Sequence, residues 1–356
     1  MKSSMRLRGA SAALGLGLCL VALPTASAQA QARVQVPCDV TALRNAIIAS
    51  NSSGADLTLA RNCTYTLTDA YAGEDGLPPV TGTYTVNGVG VTIRRASSEQ
   101  FRILHVAPGA RLTLNNVTLV GRQTEEVAGG GILNEGTLSA TQVTVRDTQN
   151  LAAYGGGIAN AGTLSMQRGA LTGNSAYLGG GLLNCGGSAT LSNVALSHNS
   201  ASDGGALNNN CSSTLTLNAT TVRDNEGRYG GGIVNWTNLV TNGTRITANT
   251  AYYGGGLFNV RGTANLSSSR VTENTAFYQG GGIYLAGGAV NLLSGTTVTQ
   301  NTPDNCYPPG RVTGCSNPAV GRLARSATPM PQDARKLAKV RALLKKTPAI
   351  RVVGLD

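Results

Sequence analysis

Between residues 29 and 321 the chain contains no lysine, and its sixteen arginines there are nearly matched by fifteen carboxylates. The formal charge of +11 therefore belongs to the ends: three cations in the first eight residues and nine after residue 321. A nucleic-acid-binding body would be expected to carry a basic stripe on its folded face, so this near-neutral body argues against one. Rings are scarce as well, with aromatics at 4% and one tryptophan. No apolar run is long enough to span a bilayer as a helix. The acids are not clustered for calcium and the cysteines lack zinc-site spacing, so neither a metal nor any other cofactor is expected.

The first 28 residues read as an export signal. Lys2, Arg6 and Arg8 precede an apolar stretch from Ala10 to Leu23, and Ala26-Ser27-Ala28 offers small residues for cleavage. Removing them leaves six of the seven cysteines, and an even number in an exported chain implies disulfides. Cys38 with Cys63 and Cys306 with Cys315 would staple the two ends. Cys185 and Cys211 fall in consecutive repeats, which stack about 4.8 Å apart and within disulfide reach.

The dominant feature is periodic. Glycine triplets, one of them Gly-Gly-Ala, begin at Gly129, Gly155, Gly179, Gly204, Gly230, Gly254 and Gly280, with steps of 26, 24, 25, 26, 24 and 26 residues. Such a period marks a solenoid whose coils bury their apolar faces only against neighbouring coils. Three strand-like pieces recur in each repeat: glycines into Ile/Leu-x-Asn, Gly-Thr-Leu, and a β-branched run ending in Asn. That pattern suits a parallel β-helix better than a leucine-rich repeat or a propeller. Two asparagine columns are expected to bond from coil to coil at the turns: Asn134, Asn160, Asn184, Asn208, Asn235 and Asn259, and Asn174, Asn199, Asn225, Asn249, Asn274 and Asn301. Ahead of the regular repeats, residues 41–51 predict a helix N-capped by Thr41, placed to cover the open end of the first coil. The fold expected is an all-β, right-handed, single-stranded parallel β-helix of nine or ten coils over residues 29–321, with a short N-terminal capping helix.

The repeat resembles that of right-handed parallel β-helix proteins of the polymorphic outer membrane protein type. Gly204-Gly205-Ala206-Leu207 matches the family's Gly-Gly-Ala-aliphatic element, and Leu43-Arg44-Asn45-Ala46-Ile47 after Cys38 is similar to a segment that opens many secreted β-helix proteins. The resemblance covers roughly residues 38–301 and implies a fold rather than an activity. The 55 residues after Asn301 are too few for the membrane-spanning barrel found in the chlamydial members.

Residues 322–356 form a basic tail in which Asp333–Lys346 has a helical pattern. It is expected either to cap the solenoid or to touch an anionic membrane or cell wall. Within the repeats, Tyr154, Tyr177, Tyr229, Tyr252, Tyr253 and Tyr278 lie beside the glycine triplets. Stacked coils would align them as a ligand-binding edge for polysaccharide or cell-surface glycan. Titratable candidates are fewer. His198 and Asp224 share one column, with Asp203, Glu226 and Arg228 near in sequence, as a lyase or glycoside hydrolase would need. The acidic and histidine motifs of polygalacturonases and pectate lyases are absent. The expectation is an exported, adhesin-like, non-catalytic binding protein, with polysaccharide cleavage as the alternative.

Overall fold

The computed structural model describes residues 32–121, 123–124 and 127–318; the segment expected to be an export signal and the basic tail lie outside them. The chain winds into a parallel β-solenoid of about ten coils with one short helix at its N-terminal end. Each regular coil contains four strands rather than three. In one coil these are Thr137–Thr141, Thr144–Arg146, Gln149–Tyr154 and Ile158–Asn160. The first two belong to a long 19-stranded sheet, the third to a seven-stranded sheet and the fourth to a nine-stranded sheet. The unexpected strand is the one between the β-branched run and the glycines, which carries the tyrosines.

Strand alternation fills the interior with aliphatic side chains. Leu138, Leu164, Leu215 and Leu239 stack in one column of the long sheet, each at most 1% exposed. Ile132, Ile158, Leu182, Leu207, Ile233, Leu257 and Ile283 stack in the nine-stranded sheet, all fully buried. Each such side chain contributes about 1.5–3 kcal/mol of apolar burial.

Asparagines satisfy the turns. Asn225 shows the pattern: its Oδ1 accepts from the backbone N–H and the Nδ2 of Asn199, at 3.0 Å each, and its own Nδ2 donates to Asn249 Oδ1 at 2.9 Å and to Leu196 O at 3.0 Å. This second column runs as expected from Asn174 to Asn301. The first column needs a correction. Its fourth member is Asn209, not Asn208: Asn184 Nδ2 donates to Asn209 Oδ1, and Asn209 Nδ2 to Asn235 Oδ1. In every coil the ladder position falls five residues after the first glycine, and only Asn209 meets that spacing after Gly204.

The glycines differ in what they permit. The first of each triplet is in the left-handed region, as with Gly204 at φ 72°. A Cβ on the second would strike the next coil's backbone: at Gly180 it would lie 2.4 Å from Gly205 O and 2.5 Å from Ser200 O. The third position is looser. A Cβ on Gly181 would come no nearer than 2.8 Å to Ala206 O, and Ala206 itself already occupies the equivalent place.

The capping helix spans Val40–Ser53 and buries Leu43 and Ile47 in the core. Its N-cap is Asp39, whose carboxylate accepts from Ala42 N at 2.7 Å, rather than Thr41; the cap lies two residues earlier than the sequence pattern indicated. Gly54, in the left-handed region at φ 72°, ends it. The three expected disulfides are present: Cys38–Cys63, Cys185–Cys211 and Cys306–Cys315. The last holds the closing segment, where Asn317 Oδ1 accepts from the backbone of Asn305 and Cys306 at 2.9 Å and so ends the second ladder.

Gly180→Ala should therefore destabilise strongly, by several kcal/mol, as expected when an added atom meets packed backbone. Gly181→Ala should cost far less. Thermal melts of the two variants, differing by one residue, check this; equal losses would contradict the packing described.

Candidate functional site

The corner where the seven-stranded sheet turns through the glycines into the nine-stranded sheet holds most of the aromatic side chains. Two outward columns meet there. The residues just before the triplets, Tyr154, Leu178, Asp203, Tyr229, Tyr253 and Gln279, are aligned by strand pairing. Opposite them run Leu133, Ala159, Leu183, Asn208, Val234, Phe258, Tyr284 and Tyr307. Glycine makes this meeting possible. A Cβ on Gly254 would lie 2.8 Å from Phe258 Cβ, and one on Gly280 only 2.7 Å from Tyr284 Cβ.

The tyrosines do not form one continuous row. Tyr229 and Tyr253 stack at 5.8 Å between ring centroids, and Tyr278 stacks on Tyr253 at 5.1 Å and on Tyr252 at 5.7 Å. Tyr154 stands apart on an earlier coil, with Leu178 and Asp203 between it and Tyr229 in the column. Tyr177 is on the coil of Leu178. An irregularity between Ala251 and Tyr253 gives the following strand, Thr275–Gln279, one extra residue and lets Tyr278 lie over two rings.

The opposite column adds rings that the tyrosine spacing did not predict. Phe258, Tyr284 and Tyr307 stack at 4.9 and 5.2 Å, and Tyr229 and Tyr253 pack on Phe258 and Tyr284 at 5.1 and 5.6 Å. Phe277 joins Tyr252 at 5.5 Å. Applying the register argument to the fifth residue of each triplet-initiated segment would have found Phe258 and Tyr284. Coil-on-coil stacking turns the ring faces toward one another, so most rings present only edges and hydroxyls to solvent. Tyr278 differs: it ends its stack and is 58% exposed.

The polar candidates divide into two places. His198 and Asp224 do share a column, joined by His198 N–H donating to Asp224 O at 3.1 Å. Both occupy a left-handed turn position, at φ 56° and 55°, which on other coils is held by Gly173 or Ala248. Histidine and aspartate are among the residue types enriched in that conformation, which accounts for their presence. Asp224 is ion-paired with its neighbour Arg223. Glu226 begins the strand that ends at Tyr229. Asp203 lies at the far end of the strand that starts after Asn199, five residues or roughly 16 Å of extended chain from His198. Arg228 lies over the Tyr229 ring, 5.2 Å from its centroid. His198 and Asp203 are thus not brought to one centre.

Asp203 interrupts the apolar corner. It is 8% exposed, and burial pushes its carboxyl from the ordinary 3.8 to about 6, opposed by the Ser202 hydroxyl and the Arg228 charge. Asn208 is beside it, donating to Asp203 O at 3.2 Å while its own Oδ1 is buried without a hydrogen-bond partner. Burial also raises the Tyr229 phenol above its usual range, against the lowering effect of Arg228.

A second polar cluster lies near the N-terminal end. Asp75 accepts an ion pair from Arg102 at 3.0 Å and meets His105 Nδ1 at 3.2 Å, while His105 Nε2 meets Glu135 at 2.9 Å. The bond to Asp75 is the main cause of the raised His105 value. Arg102 also pairs with Glu74, so the cluster clamps the excursion containing Glu74 and Asp75 onto the coils. Among the described residues, no group of three or more histidines, cysteines or acids could hold a metal ion. No helix there is long and apolar enough to cross a membrane. Comparison of the chain with protein-family models, curated proteins and solved structures finds no match.

The Asp203 value gives a pH prediction. Its folded value lies above its unfolded one, so folding favours the protonated acid: the contribution of Asp203 to stability is greatest below about pH 4 and falls as pH rises through 6. Asp203→Asn should remove that share of the pH dependence and stabilise the protein at pH 7, relative to pH 4, by about 2–3 kcal/mol more than wild type. Denaturant unfolding of both forms at pH 4 and pH 7 checks it. The same pH dependence in the variant would contradict the assignment.

Proposed function

We propose that this is an exported surface or extracellular β-helix protein, adhesin-like, that holds polysaccharide or cell-surface glycan at its aromatic corner without altering it. The supporting observation is Tyr278, a ring 58% exposed and backed by Tyr252 and Tyr253. A sugar presents an apolar C–H face that packs on such a ring, and the phenol hydroxyls of the corner supply hydrogen bonds at its margin. Three disulfides fit an oxidising, extracellular setting. The Gly-Gly-Ala/Gly-aliphatic period is similar to that of polymorphic outer membrane proteins and supports a surface role. The alternative of polysaccharide cleavage gains nothing from the separation of His198 from Asp203.

Tyr278→Ala and Tyr252→Ala should each weaken binding to any polysaccharide that retards the protein in affinity electrophoresis, with Tyr278→Ala the larger loss at about tenfold, the 1–2 kcal/mol of one ring contact. Undiminished retardation in both variants would overturn the reading, as would shortening of the polysaccharide on long incubation.

A further inference from the structure

The long sheet offers a different kind of surface. Six stacked strands, Thr137–Thr141, Thr163–Gln167, Ser188–Ser192, Thr214–Asn218, Asn238–Asn242 and Thr263–Ser267, each expose their first, third and fifth residues. None of these outward positions is charged or aromatic. All carry a hydroxyl or a carboxamide except Val240, which has the shape of threonine without its oxygen. We propose that this face binds ice, its array of polar groups meeting a plane of ordered water.

The array is regular in two directions. Pairing is in register from strand to strand with no shift, so the columns run straight along the solenoid. Neighbours recur at about 4.8 Å along the axis and about 6.6 Å along each strand. β-Branched threonines have few rotamers to choose from. Side-chain bonds between coils hold the edge column as well: Asn242 Nδ2 donates to Asn218 Oδ1 at 2.9 Å, and Asn218 Nδ2 to Ser192 Oγ at 3.3 Å. A fixed lattice of neutral donors and acceptors suits a partner that is itself a neutral lattice.

Other occupants fit less well. The six strands span roughly 13 by 24 Å, and their outward positions carry none of the aromatic or arginine side chains that anchor protein interfaces. Without charge it has no complement for an anionic membrane or an acidic polymer. Without rings it lacks the platform that the aromatic corner offers a sugar, so the two surfaces are independent of each other.

The test uses the mature, oxidised protein. Ice-affinity partitioning and the gap between melting and freezing points in a nanolitre osmometer are measured for wild type, Thr190→Lys and Ala195→Lys. Thr190 is central to the array. Ala195 is exposed on the next strand, in a column that already holds Arg245 and Arg270. The expected result is incorporation into ice and a freezing gap for wild type and Ala195→Lys, with loss of both in Thr190→Lys, all three melting alike. A wild type excluded from ice overturns the proposal. Full retention by Thr190→Lys does so too, as does wild-type adsorption to crystalline cellulose or chitin, but not to ice, that Thr190→Lys abolishes.

Discussion

Every coil stacks directly on its neighbour, and the turns must therefore satisfy their backbone groups through the coil above and the coil below. Buried asparagines do this. A buried N–H or C=O left without a partner costs about 1–3 kcal/mol, and the turns repeat on every coil. The Asn174–Asn301 column answers that demand with one side chain per coil, each accepting from the preceding asparagine and donating to the following one. Its ends need separate treatment: Thr148 begins it and Asn305 with Asn317 closes it. The other column starts at Asn134, whose Oδ1 is buried without a partner because the preceding coil has Val106 in that place.

The same stacking produces the surfaces. Once coils are locked in register, a residue type repeated at one position becomes a column, and its chemistry is multiplied along the axis. Rings at two positions flanking the glycines become the aromatic corner. Threonine, serine and asparagine on the long sheet become an in-register polar array. Asp203 and Asn208 are the exception. They place an acid and an amide among Leu178, Leu183, Tyr229 and Val234, in columns that elsewhere on these coils are apolar or aromatic.

Much of the fold was legible because its determinants are periodic. The glycine steps, the second asparagine column and the Cys185–Cys211 pairing could be indexed against the repeat, and the other two cystines followed from an even cysteine count at the two ends. The errors came where two residues of suitable type sat close together. In the run Asn208-Asn209-Asn210 the residue type could not choose the register, whereas the spacing from Gly204 could have. Asp39 and Thr41 are both good N-caps, and the earlier one wins because the helix starts at Val40. The corner was only half visible, since Phe258 and Tyr284 share a column with aliphatic residues on other coils. The Asp75–Arg102–His105–Glu135 cluster was invisible because the segment bearing Asp75 is irregular, with no repeat to index it.

The register at Asn209 is the most direct test of this account, because shifting that coil by one residue would turn its apolar side chains outward. Melting temperatures of Asn208→Val and Asn209→Val decide it. Asn209 exchanges bonds with Asn184 and Asn235 and donates to Asn238 O at 2.9 Å, so its loss should cost about 2–4 kcal/mol. Asn208 lies between Leu183 and Val234 and makes one bond, at 3.2 Å, so valine there should be tolerated or stabilising. The reverse order of stability would contradict the coil-to-coil ladder on which the structure depends.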